Sequence, residues 1–287
     1  MPTVTCWPPP GLSPGCWGAM GMAESSPSGL HVVRAGQGRP LVLLHGWCMT
    51  HRAFYPLLEE PPAGCETIAL DLPGHGESGA SCGDGLEDWG RAVARCLTSM
   101  QLARPIVCGW SLGGMLALQL AATGAMDIAG LILVGTTPRF TNGDGWSGGL
   151  PPGQLAAMRR DVRRAYRPTM EAFFRMMFAE GELDPAGYRQ VARRTVSPRT
   201  LPPQDIAEAG LDILARTDLR PQLDSVSVPV LVVHGERDVI IPSAAGRFLA
   251  ESLADARLEI FADTGHAPFL SRPAGFRTLV ETFVHES

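Results

Sequence analysis

A serine enclosed by glycines is the most informative chemical signal in the sequence. The spacing is Gly109-x-Ser111-x-Gly113, between an apolar run and an apolar helical segment. A nucleophilic serine on a sharp strand-to-helix turn needs small neighbours, because the two backbones pass each other closely. The turn lifts the hydroxyl above the sheet and aims the helix N-terminus at it. The pattern therefore predicts acyl transfer through Ser111.

A serine hydroxyl needs a base to accept its proton. His266, in the segment Asp-Thr-Gly-His-Ala-Pro, follows the last predicted strand and can reach back over the sheet edge to Ser111. His45 and His75 lie in glycine turns and are expected to brace loops. His31, His51 and His285 are interpreted as surface or structural residues. His234 follows a predicted strand, but its neighbour Asp238 suits the site better.

The base needs a carboxylate that fixes its tautomer and stabilises the imidazolium. Asp238 lies just beyond a predicted buried strand and is the expected acid. Asp263 is the rival, but it shares a short loop with His266 and would have to fold back. Asp71 belongs to an Asp-Leu-Pro-Gly turn and is expected to be structural. The chain order Ser, Asp, His is that of one large class of hydrolases.

Two backbone N–H groups must stabilise the oxyanion of the tetrahedral intermediate. Leu112, the residue after the nucleophile, is expected to supply one of them. Trp47, which follows the turn His45-Gly46, is the candidate for the other. The indole of Trp47 either lines a substrate pocket or packs in the core, and the sequence leaves both interpretations open.

Short apolar runs alternating with helical patterns indicate the framework that positions these residues. The predicted strands are Leu41–Leu44, Thr67–Leu70, Pro105–Cys108, Leu131–Val134, Val230–Val233 and Leu258–Phe261. Such runs are typical of an α/β fold with a mostly parallel central sheet and helices on both faces. We expect this core to comprise residues 30–138 and 221–287. Residues 139–220 interrupt the alternation with a helical pattern, which is typical of a lid.

Composition limits the remaining possibilities. Residues 1–29 are rich in Pro, Gly and Ser, so we expect disorder rather than a signal peptide, with Met20 or Met22 as a possible start. The seven cysteines show no metal-ligand spacing, which favours free thiols in a reducing cytoplasm and predicts neither metal nor cofactor. No apolar run is long enough for a membrane span. The net charge of −5 argues against nucleic-acid binding, and we expect a monomer.

These motifs together resemble the α/β-hydrolase superfamily from about residue 30 to the end. The segments around His45-Gly46-Trp47, residues 71–78, Ser111 and His266 more closely resemble the BioH-type pimeloyl-[acyl-carrier protein] methyl ester esterases of biotin synthesis. Residues 210–220, Gly-Leu-Asp-Ile-Leu-Ala-Arg-Thr-Asp-Leu-Arg, carry the same resemblance. It implies a serine carboxylesterase whose substrate is held on an acyl-carrier protein.

The charge of the lid agrees with an acidic partner. Residues 155–199 contain ten arginines and five acids, within a chain of net charge −5. A basic region on an acidic protein favours an acidic partner such as an acyl-carrier protein, although a solvated helix face remains an alternative. The candidate lid contacts for the carrier are Arg159, Arg163 and Arg167. Apolar surface for an acyl chain is offered by Phe173, Phe174, Met176, Met177 and Phe178, although packing of the lid on the core would account for these side chains equally well.

Other functions remain open at this point. A carboxylesterase of broader specificity and a C–C bond hydrolase would use the same three residues. A ligand-binding protein on a hydrolase fold is the alternative from another class, although a binder has no need of all three groups. Dehalogenases and epoxide hydrolases are disfavoured, because they need an aspartate where Ser111 stands.

Overall fold

The computed structural model describes residues 24–25, 29–79, 83, 85–196 and 200–287. Most of the segment predicted to be disordered, residues 1–29, lies outside these ranges. The described residues form eight strands: β1 Glu24–Ser25, β2 His31–Gly36, β3 Arg39–Leu44, β4 Cys65–Leu70, β5 Ile106–Trp110, β6 Gly130–Val134, β7 Val230–Gly235 and β8 Ala256–Phe261. Each of the six predicted apolar runs therefore forms a strand, and β1 and β2 were not predicted.

The strands form one sheet in the order β1-β2-β4-β3-β5-β6-β7-β8. All pairs from β4 to β8 are parallel, whereas β2 pairs antiparallel with both β1 and β4. The antiparallel strand escaped prediction because its residues are only partly apolar. The carboxyl ends of the parallel strands lie along one edge of the sheet, so the loops that follow them meet there.

The central strands form the core because both of their faces are covered. Every residue of β5, β6 and β7 is buried, which explains their nearly continuous apolar sequence. The helices of the described chain are α1 Tyr55–Glu59, α2 Leu86–Ser99, α3 Leu112–Thr123, α4 Pro152–Met176, α5 Pro185–Thr195, α6 Gln204–Arg216, α7 Ser243–Ser252, α8 Pro268–Ser271 and α9 Pro273–Glu286. Among the described residues, no helix combines the length and hydrophobicity that crossing a membrane requires.

Helices α4, α5 and α6 lie between β6 and β7, within residues 139–220, which we call the helical insert. Helix α4 is kinked at Ala165, whose backbone leaves the helical conformation (φ −151°, ψ 63°) three residues before Pro168. Proline lacks an N–H donor and its ring disturbs the preceding turn, which accounts for the kink. The two halves of α4 consequently run in different directions.

Candidate active site

Ser111 occupies a strained turn between β5 and α3. Its backbone has φ 56° and ψ −117°, a conformation that L-residues rarely adopt. A Cβ on Gly109 would lie 2.3 Å from the carbonyl oxygen of Gly113, and a Cβ on Gly113 would lie 2.1 Å from that of Leu44. The Thr136 hydroxyl also donates to the Ser111 carbonyl at 2.7 Å. Positions 109 and 113 therefore accept only glycine. The bond from Thr136, which follows β6, ties the turn to the end of the neighbouring strand.

Asp238 and His266 form a buried hydrogen-bonded pair beyond the ends of β7 and β8. His266 Nδ1 lies 2.7 Å from Asp238 Oδ2. The backbone N–H groups of Ile240 and Ile241 donate to the other carboxylate oxygen, at 2.8 and 2.9 Å. Because an ionised carboxylate only accepts, Nδ1 of His266 is the donor in this bond, and in the neutral ring Nε2 is then the acceptor. This is the tautomer that a general base requires.

The surroundings of Asp238 keep it ionised. Burial alone would raise the pKa of this carboxyl, but the charge and hydrogen bonds of His266 and His234 outweigh burial and hold the pKa well below its usual range. His234 Nε2 lies 2.8 Å from the Ile241 carbonyl oxygen and 3.4 Å from Asp238 Oδ2. A permanent negative charge at Asp238 stabilises a positive charge that develops on His266.

The loop of His266 is attached to the turn that carries Ser111. The indole N–H of Trp110, the residue preceding the serine, donates to the His266 carbonyl at 2.9 Å, and the two rings are 5.5 Å apart. Within the described part of the chain, the Ser111 hydroxyl makes no hydrogen bond to the His266 ring. Such bonds often tighten only when substrate binds.

The rival acids occupy different places. Asp263 is 65% exposed and forms an ion pair with Arg237. Asp71 is fully buried and accepts from the backbone N–H groups of His51 and Glu77, at 2.7 and 3.0 Å. Neither carboxylate is hydrogen-bonded to His266 in the described residues, so only Asp238 is placed to orient that ring.

Leu112 and Trp47, the residues expected to supply the oxyanion donors, follow two strands that are neighbours in the sheet. Leu112 is the first residue of α3, and Trp47 follows β3, the neighbour of β5 in the sheet. Among the described residues neither backbone N–H donates to another protein group. His45 holds the loop of Trp47: Leu72 N–H donates to His45 Nε2 at 2.9 Å, so Nδ1 carries the proton and donates to the Gly46 carbonyl at 2.8 Å.

The indole of Trp47 both lines a cavity and supports the helical insert. Its Nε1–H donates to the Ala207 carbonyl in α6 at 2.8 Å, and its ring meets that of Phe173 edge-on at 5.0 Å. A Cβ on Gly210 would lie 2.5 Å from the indole, so α6 approaches it closely. Both interpretations that the sequence left open for Trp47 therefore apply.

Ser111 and Trp47 line a cavity of about 480 Å³ between the sheet edge and the helical insert. Its walls are mostly apolar and include Phe140, Leu155, Met158, Phe173, Leu211 and Ile240. Both halves of the kinked α4 contribute, Leu155 and Met158 before the kink and Phe173 after it. Among the described residues of the lining, Asp161 is the charged one, and none is basic.

Three of the five apolar lid residues expected to contact an acyl chain lie elsewhere. Phe174 packs against Phe178 and Tyr188, with ring centroids 5.6 and 5.9 Å away, because it faces a different side of α4 from Phe173. Met177 is buried outside the lining, and its backbone carbonyl accepts from His266 N–H at 2.7 Å. Phe178 is the ring that packs on Phe174 and is also outside the lining, whereas Met176 lines the cavity as expected.

A buried glutamate that sequence reasoning missed joins the helical insert to the loop of His266. Glu182 Oε2 accepts from the N–H groups of Gly265 and Ala179, at 2.8 and 2.6 Å. The side chain is 7% exposed, and Oε1 has no hydrogen-bond partner among the described groups. In the sequence Glu182 is marked only as an acid within a basic segment. That pattern does not reveal its contact with Gly265, which lies 83 residues further along the chain.

The predicted carrier-binding arginines divide into two sets. Arg159 and Arg163 form ion pairs with Asp212 and Glu208 of α6, so they hold the helical insert together. Arg167 is exposed and has no ion pair with any described residue. Arg160 and Arg164 are likewise exposed and form no ion pair with a described residue, and all three arginines lie on α4. Arg199, one of the ten arginines counted in the sequence, lies outside the described residues.

Comparison with known proteins places this geometry in a family. The family model described as alpha/beta hydrolase fold matches residues 39–273. The chain is 35% identical over 247 residues to the pimeloyl-[acyl-carrier protein] methyl ester esterase of Nitrosomonas europaea, covering 86% of this chain and 96% of that protein. It is 37% identical over 257 residues to the protein of the same name from Aromatoleum aromaticum, covering 85% and 97%.

Solved structures confirm the predicted fold class. The esterase EaEST from Exiguobacterium antarcticum superposes with a TM-score of 0.82 at 25% identity, covering 93% of this chain and all of that one. The enol-lactonase from Burkholderia xenovorans LB400 gives 0.77 at 22% identity, covering 92% and 99%. The chain therefore belongs to the α/β-hydrolase fold family and, within it, to the family of the pimeloyl-[acyl-carrier protein] methyl ester esterases.

Proposed function

We propose that this protein is a serine carboxylesterase that hydrolyses the methyl ester of a pimeloyl group held on an acyl-carrier protein. The observation that carries the proposal is the position of Ser111 in an apolar cavity beneath the helical insert, on a turn whose Trp110 is hydrogen-bonded to the backbone of His266 in the Asp238–His266 pair. The names of the relatives support the substrate.

The first half of the reaction forms an acyl-enzyme. Ser111 Oγ attacks the ester carbonyl carbon while His266 Nε2 takes the hydroxyl proton. The backbone N–H groups of Trp47 and Leu112 stabilise the resulting oxyanion. The C–OCH₃ bond then breaks, His266 returns the proton to the methoxy oxygen, and methanol leaves.

Water completes the cycle. His266 Nε2 takes a proton from a water molecule, which attacks the acyl carbon on Ser111. The ester bond to the serine breaks, and the proton passes from His266 to Ser111 Oγ. The product is the carrier-bound pimeloyl group with a free carboxyl at its far end. Throughout, Asp238 keeps the His266 ring oriented and stabilises its positive charge.

The cavity explains why the methyl ester end would enter and the carrier end would not. Its apolar walls suit a methylene chain that carries a neutral ester. The described lining contains the acidic Asp161 and no positively charged side chain. The cavity therefore disfavours a free carboxylate, which is the group that the reaction produces. The thioester is attached to a protein and stays at the surface. The helical insert would act as a lid that admits only the acyl chain.

Hydrolysis assays on purified protein test this proposal. We expect release of one methanol per pimeloyl-carrier methyl ester, with Ser111→Ala losing at least about 1,000-fold in kcat while retaining its fold. A biotin auxotroph lacking this esterase should be rescued by the wild type and not by the variant. Equal activity on unrelated short esters, without preference for the carrier-bound substrate, would instead support a carboxylesterase of broad specificity.

A further inference from the structure

Two histidines and an aspartate meet outside the cavity of Ser111, at the end of β4. The antiparallel register of β2 and β4 pairs Val32 with Leu70, and Asp71 N–H donates to the His31 carbonyl at 3.0 Å. The loop after β3 brings in His51, whose backbone N–H donates to Asp71 Oδ1 at 2.7 Å. Three separate segments of the chain therefore converge on one point.

The donor atoms of this cluster are close enough to share one ion. One ligand atom from each of His31, His51 and Asp71 lies within 4.8 Å of the other two. His51 Nδ1 is 2.9 Å from Asp71 Oδ1, and His31 Nδ1 is 3.8 Å from Glu77 Oε2. Two ligands of a tetrahedral zinc ion lie about 3.3 Å apart, given bonds of about 2.0–2.1 Å. The two measured separations bracket that value.

We propose that His31, His51, Asp71 and Glu77 bind one divalent transition-metal ion, with zinc the best match. Two imidazoles and two carboxylates form a nitrogen and oxygen donor set that suits zinc better than calcium or magnesium. Four protein ligands leave no open position, which is the arrangement of a structural site rather than a catalytic one.

The surroundings of the carboxylates fit this role. Asp71 is fully buried, and hydrogen bonds from backbone N–H groups of His51 and Glu77 fix its orientation. Hydrogen bonds of this kind orient metal ligands. The Glu77 side chain is 65% exposed, so it is free to turn toward the histidines when an ion arrives.

A bound ion would join β2, the loop that also carries Trp47, and the loop after β4. Since the three segments separate on unfolding, the ion binds the folded chain in preference to the unfolded one. A ligand that binds only the folded state raises Tm. At a hundredfold excess over Kd the expected rise is about 5 °C for a chain of this size.

Metal binding to the full chain tests the proposal independently of its esterase activity. After treatment with a chelator, the wild type should bind one Zn²⁺ by calorimetry, and Co²⁺ should give the visible absorption of a tetrahedral site. His31→Gln and His51→Gln should each abolish both signals, whereas the control His285→Gln, at an exposed histidine, should retain them. Absence of binding by the wild type, or unchanged binding by the variants, would overturn the site.

A second variant keeps the test decisive if the buried histidines prove necessary for folding. Glu77→Gln changes an exposed side chain, so the fold should survive. It should weaken Zn²⁺ binding at least about tenfold and reduce the Tm rise at a fixed Zn²⁺ concentration. An unchanged affinity in Glu77→Gln would show that the fourth ligand, and with it the closed site, has been wrongly assigned.

Discussion

The backbone N–H of Gly265 donates a hydrogen bond of 2.8 Å to the carboxylate of Glu182, which links the helical insert to the loop of His266. The neighbouring bond from His266 N–H to the Met177 carbonyl reinforces the link. The position of the proposed base therefore depends on the insert as well as on the sheet. A loop fixed from both sides keeps the imidazole in one orientation.

Replacing Glu182 should impair catalysis more than binding. Glu182→Ala leaves the buried N–H of Gly265 and the partly buried N–H of Ala179 without this acceptor and loosens the His266 loop. We therefore expect kcat to fall about 10- to 100-fold with little change in KM. Glu182→Gln keeps an oxygen at the acceptor position and should restore most of kcat. Steady-state kinetics with a p-nitrophenyl ester measure both. If the alanine variant retains full kcat, the link does not position the histidine.

Local patterns were sufficient to predict the six parallel strands of the sheet and the turn at Ser111. Strands such as β5 and β6 are buried on both faces, so each appears in the sequence as a short apolar run. The glycines beside Ser111 are required by contacts of 2.3 and 2.1 Å that any Cβ would make, so their spacing is visible without a structure. The α/β-hydrolase fold and the family resemblance predicted from these residues are confirmed.

Features that depend on contacts between distant segments could not be predicted. Which face of α4 meets the cavity depends on the kink at Ala165. The sequence therefore could not separate Phe173 and Met176, which line the cavity, from Phe174 and Met177, which do not. The meeting of His31 with Asp71 depends on the antiparallel register of β2, a strand without a clear apolar pattern.

The choice of acid can be tested by comparing two aspartates. In Asp238→Asn the amide would offer N–H donors to His266 Nδ1, favour the wrong tautomer and lower kcat about 1,000-fold or more. Asp263→Asn removes only an exposed ion pair with Arg237 and should leave kcat within about twofold. Turnover of a small methyl ester by the two folded variants gives the comparison. The reverse ranking would show that Asp263 is the acid.

Two buried histidines should make the free energy of unfolding depend on pH. Burial lowers the pKa of His45 to about 3, with the nearby His75 adding to the effect, and burial lowers the pKa of His75 to about 4. Both bind protons more readily when unfolded, where the pKa is about 6.5. Their contribution is therefore complete above pH 6.5 and is lost as the pH falls toward 4. Each should contribute a slope of up to about 1.4 kcal/mol per pH unit.

Urea denaturation at several pH values between 7.5 and 4.5 measures this slope. His75→Asn can keep a donor near the Pro73 carbonyl, which lies 3.0 Å from His75 Nδ1, while removing the titrating ring. Its slope should be smaller by up to about 1.4 kcal/mol per pH unit, with the largest difference near about pH 5. The matched variant His285→Asn, at an exposed position, should leave the slope unchanged. A wild-type stability that is flat over this range would contradict the predicted effect of burial.

Exposed arginines of α4 should contribute to the docking of an acidic carrier protein. Arg159 and Arg163 are paired within the insert, whereas their neighbours Arg160, Arg164 and Arg167 on α4 are exposed and form no ion pair with a described residue. Reversing these three to glutamate should slow hydrolysis of the carrier-bound ester, because complementary charge mainly raises the association rate. A small p-nitrophenyl ester should be hydrolysed almost as before, since it needs only the proposed triad and oxyanion donors.

A matched variant and a salt series separate docking from a general effect of charge. Reversing Arg95, Arg247 and Arg272, exposed on or beside helices of the core, changes the net charge equally but should leave both reactions unaffected. Added salt screens exposed charges, so it should slow the carrier-bound reaction of the wild type more than the small-ester reaction. If reversal on α4 slows both substrates equally, these arginines stabilise the insert rather than bind the carrier. If it slows neither, the basic region is a solvated helix face and the carrier docks elsewhere.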